Sequence, residues 1–242
     1  MLAFLAPALP ARADLRHTAT WVVSGEENVG QTITRKRGEL ALFARIVPKS
    51  LFRLREDVFL TRKDKPYVEI PKGTLMTHVD GRDDMACEIL RRGGSAFDCL
   101  SDTDHDGRFE TFFATQVFNE IFLGSIGDDG HFRSLPDPAT LDAVESGEAP
   151  VVKLGILNEG SSKLEFRYRI CALIARDKIV FGSDTTSVSC LADRRVASLA
   201  SMPIAINAYG SDIRVVEVTS KLATMQVGHT RSGGEFRTSW SM

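Results

Sequence analysis

Val152-Lys153-Leu154-Gly155-Ile156-Leu157-Asn158-Glu159-Gly160-Ser161-Ser162-Lys163-Leu164-Glu165-Phe166-Arg167-Tyr168-Arg169-Ile170 decides the fold class. Val152, Leu154 and Ile156 alternate with polar or small residues, and the run stops at Asn158 to Ser162. Alternation resumes at Leu164, Phe166, Tyr168 and Ile170, while Glu165, Arg167 and Arg169 point the other way. Two period-2 runs around a Gly/Ser/Asn turn predict a β-hairpin with one buried face. Arg176-Asp177-Lys178 reads as a second turn and Ile179-Val180-Phe181 as a third strand. Ile213 to Val218 and Leu222 to Val227 predict a further strand pair.

The same texture extends toward the N-terminus. Trp21-Val22-Val23, Leu40 to Ile46 and Val58-Phe59-Leu60 read as strands, and Lys63-Asp64-Lys65-Pro66 as a turn. Ile70 to Met76 reads as a turn leading into a strand. Phe109 to Phe122 has an ambiguous period: a strand, or a short helix carrying Phe113, Val117 and Ile121 on one side. Gly127 to Pro150, rich in Asp, Gly and Pro, reads as a linker or long loop with at most one short helix. Asp137 would be its N-cap and Pro138 its first helical residue. The expectation is a mainly β protein of two antiparallel sandwich- or barrel-like domains, residues 14–126 and 151–242, with few short helices.

Leu2 to Leu9 is apolar, and Ala11-Arg12-Ala13 fits the small-x-small pattern of signal-peptide cleavage, so residues 1–13 read as a leader. Its charged opening is missing, because Leu2 follows Met1 directly, and the leader therefore reads as truncated. No segment approaches the roughly 20 apolar residues of a membrane-spanning helix. Cysteines stand at 87, 99, 171 and 190, with no CxxC pair. Four cysteines allow three pairings; proximity favours Cys87–Cys99 and Cys171–Cys190, each stabilising by about 3 kcal/mol in the chain-entropy model. The alternative is four reduced, buried thiols. Thirty Lys and Arg against thirty-two Asp and Glu give no electrostatic footprint for nucleic acid, and the isolated Arg35-Lys36-Arg37 reads as a solvated turn.

One constellation carries specific chemistry. In Asp102-Thr103-Asp104-His105-Asp106-Gly107-Arg108-Phe109-Glu110, carboxylates at alternate positions can converge on one point when the backbone winds. Ca²⁺ takes about six to eight oxygens, and Gly107 permits the sharp turn around it. Arg108 would offer its backbone carbonyl, Phe109 would anchor the loop in the core, and Glu110 would ligate directly or through water. The stretch resembles the DxDxDG loop of EF-hands, dockerins and thrombospondin type 3 repeats. That resemblance covers nine residues and implies a stand-alone structural calcium loop, because Phe113 stands where an EF-hand has its closing Glu. Closing ligands from nearby segments could be Asp98, Asp128 or Asp129. The plain alternative is an acidic turn.

No catalytic signature emerges. The histidines at 17, 78, 105, 131 and 229 form no HExxH or helical pair, and no GxSxG, Walker-type or GxGxxG pattern occurs. Carboxylate pairs (Glu26-Glu27, Asp83-Asp84, Asp128-Asp129) are available for glycoside chemistry. Trp21, Trp240, Tyr67 and Tyr209 could stack on a sugar, although core aromatics are commoner. The expected function is therefore a non-enzymatic, exported binding or scaffolding protein of the cell envelope, with a protein or glycan partner. The alternative is a hydrolase acting on an envelope glycan or polymer through a carboxylate pair.

Overall fold

The computed structural model describes residues 16–63, 65–89, 96–116, 125–128, 132–150, 152–176, 185–190, 194–231 and 233–237. The expected leader, the expected 179–181 strand, Asp129 and Trp240 lie outside them. The chain is mainly β, as expected, in several antiparallel sheets.

The strands follow in order as β1 (Arg16–Thr18), β2 (Thr20–Glu26), β3 (Thr32–Lys36) and β4 (Leu40–Pro48). Next come β5 (Phe52–Leu54), β6 (Val58–Arg62), β7 (Lys65–Ile70), β8 (Leu75–Val79), β9 (Arg82–Glu88), β10 (Ala96–Ser101) and β11 (Phe109–Gln116). Then follow β12 (Ser125–Asp128), β13 (Arg133–Ala139), β14 (Leu141–Ala143), β15 (Val152–Ser161) and β16 (Glu165–Arg176). The series closes with β17 (Thr185–Cys190), β18 (Arg195–Ser198), β19 (Ile204–Ala208), β20 (Ser211–Val218), β21 (Leu222–Thr230) and β22 (Glu235–Arg237).

Two sheets share the larger core. One has the order β17-β16-β15-β4-β2-β22, with β18 also on β16; the other runs β19-β20-β21-β3. Their inner faces meet through Trp21, Phe43, Ile46, Leu154, Phe166, Ile206 and Met225, among others. This is a β-sandwich, and its alternation is legible along β19 and the first five residues of β20, where every second residue is buried. A third sheet, in the order β1-β12-β11-β10-β9-β8-β5-β14 with β13 on β11, has a core on each face. Leu54, Met76, Leu100 and Phe112 pack beneath the β6–β7 hairpin on one side. Val79, Met85, Phe97 and Phe113 surround the Cys87–Cys99 disulfide on the other.

The sheets do not divide where 14–126 and 151–242 do. β2, β3 and β4 belong to the sandwich, and β4 pairs directly with β15, Ile46 opposite Val152. The strands between them, β5 to β14, form a module inserted into one sandwich hairpin, joined by β1, which pairs with β12. Its two ends meet where the Val144 amide donates to the Leu51 carbonyl. Local alternation identifies strands but carries no information on which strands pair across about a hundred residues.

The segment 127–150 is likewise not a linker. Asp137 and Pro138 lie in β13, which pairs with β11, and β14 pairs with β5. Pro136 and Pro138 are tolerated because β13 hangs on one neighbour only, and Leu135 and Ala139 anchor it in the core. The β15–β16 turn is also displaced. Pairing continues to Ser161 opposite Phe166 past a bulge near Gly160, so Leu164 falls in the turn and is 76% exposed. Phe109 to Gln116 resolves as strand; the rest of that ambiguous stretch lies outside the described residues.

Candidate metal centre

The loop from Asp102 to Arg108 connects β10 to β11, whose pairing ends with Ser101 opposite Thr111. Asp102 organises it from inside. The residue is buried, its Oδ1 accepts from the amides of His105 (2.7 Å) and Asp106 (3.3 Å), and its Oδ2 accepts from Gly107 (2.8 Å). These bonds require left-handed backbone at two positions, φ +62° at His105 and +88° at Gly107. The second suits glycine, as the sequence implied. Asp106 Oδ1 accepts from the Arg108 amide at 2.8 Å, and the Arg108 residue is exposed. Phe109 is buried in the module core, and Phe113 is fully buried beside the disulfide.

Asp102, Asp104, Asp106 and Glu110 each present a carboxylate oxygen, all within 4.8 Å of one another. Glu110 Oε2 accepts from the amide and hydroxyl of Thr103, at 2.9 and 3.1 Å. Its Oε1 is buried with no hydrogen-bond partner. A carboxylate oxygen in that condition wants a donor or a cation. The donor set is all hard oxygen, which suits Ca²⁺ or Mg²⁺ rather than a soft-ligand metal.

Of the suggested closing ligands, Asp98 and Asp128 are not brought in. They lie opposite Ala114 and Thr115, several residues down the hairpin from the loop. A bracing contact that the sequence did not announce comes from β9. The Asp102 amide donates to the Asp84 carbonyl at 2.8 Å, and Asp84 holds Arg82 through two 2.7 Å bonds. Those bonds keep the Asp84 carboxyl below its ordinary range. Cys87 lies opposite Cys99 on the same two strands, and the bond between them closes the third side of the frame. The Cys171–Cys190 bond does the same between β16 and β17.

Among the described residues, the others singled out do not assemble into a site. Asp84 is engaged by Arg82, Glu27 by Arg45 and Lys153, and Glu26 accepts from the Thr230 amide. A general acid needs a raised carboxyl pKa, the opposite of what Arg82 does to Asp84. Trp21 is in the sandwich core, Tyr209 packs against that core and Tyr67 against the module core, so they form no common platform. His78 stacks on Phe52, centroids 4.2 Å apart, and burial lowers its pKa despite Asp83 and Asp84. Among the described residues no helix is long and apolar enough to cross a membrane. Neither protein-family models, curated proteins nor solved structures give a match to the chain.

Proposed function

We propose that the protein is an exported, non-enzymatic binding or scaffolding protein of the cell envelope whose 102–110 loop holds one structural Ca²⁺. The observation that carries the metal reading is the convergence of four carboxylates around a buried Glu110 oxygen that nothing donates to. Without a cation, that convergence brings like charges together for no return. Ca²⁺ is preferred over Mg²⁺ because a wound loop of single carboxylate oxygens is adjustable, whereas Mg²⁺ demands near-ideal octahedral geometry and keeps its waters. Export is supported by two disulfides together with the apolar start and Ala11-Arg12-Ala13. The ion's role is to fix the β10–β11 connection against β9.

Thermal unfolding of the oxidised protein in EDTA and then in about 10 mM Ca²⁺ tests this. With Kd near 10⁻⁴ M, linkage gives about 2.7 kcal/mol. That is a rise of roughly 5–20 °C, the larger figure applying if the module melts alone. Absence of the rise in Asp104→Ala, and its absence with Mg²⁺, are expected. An unchanged Tm in Ca²⁺ would reduce the loop to an acidic turn.

A further inference from the structure

The sheet containing β4, β15 and β16 turns one face to the sandwich core and the other away. On the outer face Leu40, Leu42, Leu157, Leu173 and Val188 line an open trough of about 710 Å³. Register sets them in adjacent rows, with Leu157 opposite Leu40 and Leu173 opposite Val188. Between those rows lies Gly155, opposite Leu42, where a Cβ would stand 3.2 Å from the Cδ2 atoms of both Leu40 and Leu42. Glycine therefore keeps the middle of the trough open. The solvent face of an antiparallel sheet is ordinarily polar, and five apolar side chains gathered in one depression depart from that.

The border of the trough is charged, with Arg35 and Glu39 both lining it. Arg35 Nε donates to the Leu40 carbonyl and Nη1 to the Thr34 carbonyl. Leu40, Leu157 and Arg169 form one row across three strands, placing Arg169 roughly 10 Å from β4. Glu159 serves both Arg169 and Arg194, so one carboxylate faces two guanidiniums. Arg169 Nε is buried and, although 2.9 Å from Glu159 Oε1, is too oblique to hydrogen-bond, which leaves a buried donor without an acceptor. Arg167 lies opposite Gly160, and the Arg37 side chain packs against the same glycine. Of the acids here, Glu39 Oε2 accepts from the Lys36 amide and Glu165 lies 3.9 Å from Arg167. Outside residues 49–151 the chain holds eighteen Lys and Arg against twelve Asp and Glu, a net +6.

We propose that this face binds a free anionic amphiphile, its alkyl chain lying along the leucines and its carboxylate or phosphate head between Arg35 and Arg169. The volume falls within the roughly 300–1,000 Å³ of small-molecule sites. A concave trough receives a single chain but not the plane of a bilayer. The surface is independent of the metal loop, which lies in the inserted module.

The test is fluorescence titration of the oxidised full chain with cis-parinaric acid, kept below its critical micelle concentration. Saturable one-to-one binding is expected. Leu157→Asn should weaken it on the order of tenfold. Arg169→Gln should weaken it several-fold, and the uncharged methyl ester of the probe should bind several-fold more weakly than the acid. Melting curves establish that both variants fold, and EDTA should leave binding unchanged, so failure of the metal reading and failure of this one are separable. Unsaturable uptake, or equal affinity in both variants, overturns the proposal. So does a dimer in sedimentation that Leu157→Asn dissolves, which would give the face to a second copy.

Discussion

The sandwich and the module inserted into it are built from the same alternating strands and each carries a cross-strand disulfide, yet they are packed differently and charged in opposite ways. The sandwich buries one continuous apolar core between two sheets, and the residues outside 49–151 carry a net +6. The module, residues 49–151, holds twelve Lys and Arg against twenty Asp and Glu, a net −8, and divides its apolar residues between two smaller clusters. A near-neutral chain thus conceals a strongly acidic unit joined to a basic one. Small cores and self-repelling charge are the conditions under which a covalent bridge and a cation contribute most. The module has both a fully buried disulfide and the carboxylate cluster within a few residues of each other.

If the two units are separate in stability, core truncation should act on one at a time. Phe113→Ala should cost the module about 3–5 kcal/mol, and Phe43→Ala the sandwich a similar amount. Urea unfolding followed by hydrogen exchange in each unit reads both; equal loss in both units from either variant would make the chain one cooperative body. Removing a disulfide sharpens the contrast at about 3 kcal/mol. Cys87→Ala/Cys99→Ala should lower both module stability and Ca²⁺ affinity, whereas Cys171→Ala/Cys190→Ala should leave Ca²⁺ affinity unchanged in calorimetric titration. Gly107→Ala, at φ +88°, should cost about 1 kcal/mol and weaken the metal while the sandwich stays as it was.

The smallest effect is on pH. Burial holds the His78 imidazole below its ordinary 6.5. The unfolded chain therefore takes up a proton that the folded module resists. Stability is complete above about pH 6.5 and declines on acidification through the lowered folded value. His78→Asn should flatten that part of the module's stability profile and leave the sandwich's unchanged.

The sequence disclosed what is local. The β20–β21 pair, the pairing of β15 with β16 though not its turn, and the winding of 102–110 follow from residue period and turn chemistry. Both disulfides were legible because each joins strands adjacent in both sequence order and space. Pairing of β4 with β15 was not, since nothing in Leu40 to Ile46 names its partner. β13 was hidden by Pro136 and Pro138, which signal a break unless the strand is known to lie at an edge. In the 102–110 loop the carboxylates could be read directly. The Asp84 carbonyl that holds the Asp102 amide could not, because backbone atoms carry no sequence signature.

Hydrogen exchange with and without Ca²⁺ tests the central claim most directly, because it locates the ion as well as detecting it. Slowed exchange should be confined to peptides covering residues 96–116 and the adjoining 82–88 strand, with the sandwich unaltered. Unchanged exchange throughout, or protection centred on the sandwich, would contradict a calcium-braced module.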